Sequence, residues 1–141
     1  MRSIPRDNFV KEIIIMEKKL VVAQGAPAPV GPYSPAVEIG NLVYTSGQMG
    51  VDGAGNLGKD VTEQTKLAIE NVEKLLKAAG CELSDIVKTL VFIKDMNDFA
   101  AVNAVYADMI KAEVMPARSC VEVARLPKDA LVEIEAIALK K

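Results

Sequence analysis

Only two stretches of this chain space their apolar residues as a helix does; the other apolar runs after residue 17 read as strands. The first helix follows Asp60. Val61, Ala68, Ile69, Val72, Leu75, Leu76 and Ala79 form one stripe, Asp60 and Glu63 stand at capping-box spacing, and Gly80 ends it. The second starts near Asn97 or Asp98 and carries Phe99, Val102, Asn103, Tyr106, Met109 and Ile110 on one face. Strands are expected over 19–23, 36–39, 42–46, 86–94, 119–124 and 131–139. That order predicts an α+β fold, a mixed β-sheet with two helices on one face. The strands are apolar on both sides, so the uncovered face is expected to meet another subunit.

The connections fit this layout. Gly40-Asn41 supplies a tight turn between two strands. QGAPAPVGPYSP holds four of the seven prolines and reads as a constrained loop. GVDGAGNLG is glycine-rich, but it lacks the Lys-Ser/Thr ending of a phosphate loop and does not match GxGxxG, so it reads as a connection.

At 141 residues, half of them hydrophobic, the chain suits a single domain, placed at 17–141. Residues 1–16, MRSIPRDNFVKEIIIM, read as an extension of unclear role. They have no small-residue cleavage site or long apolar core, and Asp7 and Glu12 argue against a transit peptide. Met16 can itself be read as a start, with MEKKLVV as the natural beginning, although Ile13, Ile14 and Ile15 can still pack somewhere. No apolar run approaches the ~20 residues of a membrane span. A net charge of -2 gives no basic excess for nucleic acid. The absence of histidine removes the commonest general base and metal ligand. Cys81 and Cys120 lie in no metal-ligand spacing and read as free cytosolic thiols, so no metal is expected and the protein is placed in the cytoplasm.

Several residues stand out against this frame. In PARSCVEVARLP, Arg118, Cys120 and Glu122 share one strand face and Val121 and Val123 the other. Arg118 is either a solvated charge or a planar fork for a carboxylate. Cys120 is a small hydrophobe or a pocket thiol, and without an imidazole it is a poor acyl-transfer nucleophile. Glu133 and Glu135 alternate with apolar residues. They form an outward polar face unless their strand pairs with that of Arg118, where one of them can orient water or exchange a proton. Asn103 interrupts an apolar stripe and is a satisfied core amide or a donor aimed into a pocket. Tyr33 sits in a stiff loop as packing or as a pocket wall. In TSGQM, Gly47 permits close backbone approach, and Ser46 with the Gly47 N–H can bind a small anion.

GPYSPA, TSGQM, IVKTLVFIKDMNDFAAVNAVY and PARSCVEVARLPKDALVEIEAIA closely resemble the Rid (YjgF-type) family, specifically the reactive-intermediate imine deaminases of the RidA subgroup. The resemblance spans roughly residues 17–141. It implies a chorismate-mutase-like subunit in a homotrimer with clefts between subunits. It implies hydrolysis of 2-imino acids and enamines such as 2-aminoacrylate to 2-keto acids and ammonia. Carried over by motif, Arg118 clamps the substrate carboxylate, and Tyr33, Ser46, Gly47 and Asn103 line the cleft. Cys120 contacts substrate or water, and Glu133 activates the water. Arg118 and Cys120 thus share a face because both line one pocket, and Val121 and Val123 are expected to fill the core. Imines are electrophilic, so positioning and one acid–base group suffice without a cofactor. The family also includes proteins described as ribonucleases or translation inhibitors. A ribonuclease or a non-catalytic small-ligand module is therefore the alternative reading.

Overall fold

The structure, a computed structural model, describes residues 16–141. Apart from Met16, the N-terminal extension and its triple isoleucine lie outside the described residues. Among the described residues seven strands form one sheet: β1 (Lys19–Val21), β2 (Ala36–Ile39), β3 (Leu42–Thr45), β4 (Gln48–Met49), β5 (Ile86–Ile93), β6 (Ala117–Glu122) and β7 (Val132–Leu139). Two helices, α1 (Val61–Ala78) and α2 (Phe99–Met109), lie on one face. The main path runs β1-β2-β3-β7-β5-β6, with β4 paired to β7 beside β3. Only the β5–β6 pair is parallel, so the sheet is mixed as expected.

Local chemistry explains the element ends. Gly40, at φ +55, turns β2 into β3, a left-handed conformation that β-carbons disfavour. The Asp60 side chain accepts from the Glu63 N–H at 2.8 Å, while Glu63 reaches back one residue further than expected, to the Lys59 N–H at 2.7 Å. The stripe of α1 buries Ala68, Ile69, Val72, Leu75 and Leu76, though Val61 is only half-buried. α1 also carries buried polar side chains that serve irregular backbone. Asn71 donates to the Met49 and Val51 carbonyls, and Gln64 bridges the Gly58 carbonyl and the Leu131 N–H. These bonds hold β4 and the approach to β7 against the helix layer. The second helix is entered through a 3-10 turn at Met96–Asp98.

Register fixes which side chains share a face. Thr89, Val91 and Ile93 of β5 stand opposite Ala136, Ile134 and Val132 of β7, and all six are buried under the helices. Leu90 and Phe92 pair with Glu135 and Glu133 on the open face. That face also carries Leu20, Tyr44 and Val121, exposed at 64%, 39% and 41%. It is the uncovered apolar face expected from the sequence.

Two expectations are corrected here. β6 begins at Ala117 and ends at Glu122, because its parallel ladder on β5 runs from Lys88↔Ala117 to Ile93↔Glu122. Register also puts Val121 beside Phe92 on the open face, so Val121 and Val123 do not fill the subunit core. Instead Cys120, beside Val91, packs against it. β7 does not pair with β6, so the pairing that would set a glutamate beside Arg118 within one subunit is not made. β5 lies between them, and Glu133 and Arg118 project from opposite faces of the sheet.

Candidate active site

Arg118 stands on the edge strand β6, on the helix face. Its Nη1 donates to Asn103 Oδ1 at 2.7 Å. Its guanidinium carbon lies 4.8 Å from the Tyr106 ring centre and 5.6 Å from that of Phe99. Three residues of one α2 face, Phe99, Asn103 and Tyr106, therefore hold a single cation. Arg118 forms no salt bridge among the described residues, so the rest of its fork is free for an anion. Asn103 is thus no orphan in an apolar stripe; the arginine occupies its carbonyl oxygen and its Nδ2 donors remain. Cys120 lies two residues along the same strand face. Burial pushes its thiol pKa up, and the Arg118 charge only partly opposes this, so the thiol stays protonated near neutrality.

The other set gathers where β3 passes into β4. Gly47 lies against Glu133, and a β-carbon built on it would fall 1.8 Å from Glu133 Oε1. The backbone can pass the carboxylate this closely only without a side chain. Glu133 is half-buried on the open face. Burial pushes its pKa up, and the like charge of Glu135 pushes it further. Ser46 donates its hydroxyl to the Ser34 carbonyl at 2.6 Å and its N–H to the Pro35 carbonyl at 2.8 Å. Its hydroxyl can therefore serve a ligand only as an acceptor. Tyr33 is exposed, and its phenol accepts from the Val30 N–H at 3.3 Å. A cavity of about 470 Å³ opens here, lined by Tyr33, Gly47, Met49 and Lys128 among others.

The predicted residues thus fall into two groups. Arg118, Asn103 and Cys120 lie on one face; near the other Gly47 touches Glu133, Ser46 precedes Gly47 in the chain, and Tyr33 shares a cavity wall with Gly47. A single subunit does not join them. Sequence reasoning assigned Phe99 and Tyr106 to packing alone. The available signal was their position four residues before and three after Asn103, which stacks all three along one helix face.

Known proteins resemble this chain over most of its length. Residues 23–140 match the family described as Endoribonuclease L-PSP. A Salmonella typhimurium protein named 2-iminobutanoate/2-iminopropanoate deaminase is 50% identical over 126 residues, covering 87% of this chain and 98% of the relative. The crystal structure of the Escherichia coli YjgF gene product superposes with a TM-score of 0.83 at 48% identity, covering 87% of this chain and 99% of that one. That of Escherichia coli TdcF with bound serine gives 0.83 at 47%, with the same coverage. Over nearly all of its described length, then, the chain belongs to the Rid (YjgF-type) family, the group also described as Endoribonuclease L-PSP.

Proposed function

We propose that this protein hydrolyses 2-imino acids and their enamine tautomers, such as 2-aminoacrylate, to 2-keto acids and ammonia. Its sites would form between the subunits of a homotrimer. The observation that carries this reading is the Arg118 fork, held by Asn103 and two rings and paired with no carboxylate among the described residues. Relatives named as 2-iminobutanoate/2-iminopropanoate deaminases support the substrate class. Serine bound to TdcF supports an amino-acid-like ligand.

The chemistry asks little of the protein. Arg118 holds the carboxylate common to all 2-imino acids. Glu133 takes a proton from water as the water oxygen bonds to the imine carbon, giving a carbinolamine. Glu133 returns that proton to the nitrogen and then relays the carbinolamine hydroxyl proton to the same nitrogen, so that the C–N bond breaks, ammonia leaves and the carbonyl forms. A base is most effective with a pKa near the working pH, and burial moves Glu133 in that direction. The protonated Cys120 thiol suits contact with substrate or water, not attack. Because Arg118 and Glu133 point from opposite faces, a second copy must bring its Glu133 group to the first copy's Arg118 group. The open apolar face is the surface that would bury against that copy.

Among the described residues no helix is long and apolar enough to cross a membrane, and both cysteines are free thiols, which suits the cytoplasm. The family description favours one rival, cleavage of RNA. Against it stand the net charge of -2 and the absence of histidine. The test is to generate 2-aminoacrylate with a serine dehydratase and follow pyruvate with and without the protein. Faster pyruvate release is expected. An unchanged rate, with RNA degraded in a parallel incubation, would contradict the reading.

Gly47→Ala checks the close contact. The Glu133 side chain can swing away, so the fold should survive, but the carboxylate leaves its place. We expect kcat to fall roughly tenfold to a hundredfold with little change in melting temperature. An unchanged kcat would show that the placement of Glu133 is not used.

A further inference from the structure

Thr89 is a polar side chain in the middle of an apolar sheet face. It is 1% exposed, with Val91 and Ile93 following on the same side. A buried hydroxyl costs stability unless it is hydrogen-bonded. Its partner is the Tyr106 phenol at 2.8 Å. Thr89 is also the register partner of Arg118 on the neighbouring strand. The three side chains therefore close a triangle: Thr89 touches Tyr106, Tyr106 lies over Arg118, and Arg118 stands beside Thr89.

We propose that Tyr106, held by Thr89, is a positioning residue that sets the plane of the Arg118 guanidinium. An arginine on an edge strand has many rotamers to lose on binding. A ring face attracts the cation and fixes its plane, leaving the edge N–H groups free. Asn103 fixes rotation within that plane by holding Nη1. The remaining donors then meet a planar carboxylate without prior reorganisation. The Thr89 hydroxyl satisfies the buried phenol in this place, so the ring is not drawn away from the guanidinium towards another hydrogen-bond partner. This rests on Arg118 being the carboxylate clamp argued above.

The test is steady-state kinetics on 2-iminobutanoate, made in situ by an amino-acid oxidase, with calorimetric binding of 2-oxobutanoate alongside. Tyr106→Leu should raise KM and the 2-oxobutanoate Kd by about threefold to thirtyfold, the range of one partly desolvated cation–π contact, while kcat moves much less. Tyr106→Phe, which keeps the ring, should recover most of that loss. Thr89→Val alone leaves the phenol unpaired and should raise KM. Adding Tyr106→Phe to it removes both hydroxyls and should bring KM back. If Tyr106→Leu does not fold, the Thr89→Val pair decides: unchanged KM in Thr89→Val overturns the proposal. An unchanged KM in a folded Tyr106→Leu, or equal damage from Phe and Leu, also overturns it. Arg118→Ala separates the two levels. If that variant keeps full activity and binding, the clamp itself fails and this inference falls with it. If it is inactive while Tyr106→Leu is normal, only the positioning role fails.

Discussion

Arg118→Ala should cost on the order of 10²-fold or more in kcat/KM for every 2-imino acid tested, and Arg118→Lys should recover little of it. The carboxylate is the one fixed charge these substrates share. Arginine can meet it with two parallel hydrogen bonds, each contributing about 1.5–3 kcal/mol when charge-assisted. Lysine offers a flexible point charge that neither Asn103 Oδ1 nor the two rings would hold in the same way. Cys120→Ala should be much milder, since burial keeps the thiol protonated and no covalent step uses it. Steady-state kinetics on folded, assembled variants checks the contrast. A dead cysteine variant beside a nearly normal arginine variant would reverse the assignment of roles.

Glu133→Gln should lower kcat by about 10²–10⁴-fold, the usual contribution of a positioned acid–base group, with a smaller change in KM. The same substitution should stabilise the protein at neutral pH. Burial and Glu135 raise the folded-state pKa of Glu133, so the folded protein holds this proton more tightly than the unfolded chain. Stability therefore falls as pH rises from the ordinary carboxylate range through the raised value, and it levels off above. Glutamine has no proton to lose. Melting temperatures of the two proteins should converge at acid pH and separate, with the variant higher, as pH rises through that window. A variant less stable than wild type at neutral pH would show that the ionised carboxylate is favourably bound in the fold.

Much of this was legible because short-range rules decide it. Asp60 and Gly80 mark the limits of α1, and Gly40-Asn41 marks a hairpin, through local backbone chemistry that tertiary packing had no cause to override. Strand faces were harder. Alternation in PARSCVEV separates Arg118 and Cys120 from Val121 and Val123, but not which pair faces the helices. The wrong pair was assigned to the core because valine outranks arginine and cysteine in that role on composition alone. The answer depends on the parallel register with β5, which is non-local. Whether Glu133 lies near Arg118 stayed open in the sequence for a similar reason: β5 inserts between the last two strands of the sequence, a crossover that no local signal announces. Phe99 and Tyr106 were legible as a helix stripe, but their use as an arginine platform becomes visible only once β6 is placed beside β5.

Mixing two inactive variants tests the central claim, that each site joins the Arg118 group of one subunit to the Glu133 group of another. Arg118→Ala and Glu133→Gln proteins are unfolded together, refolded in equal amounts, and assayed for imine hydrolysis against each variant refolded alone. With random assembly, about one interface in four pairs an intact Arg118 with an intact Glu133, so the mixture should recover roughly a quarter of wild-type activity. A mixture no more active than its two components would show that Arg118 and Glu133 act within one subunit, and would contradict the account.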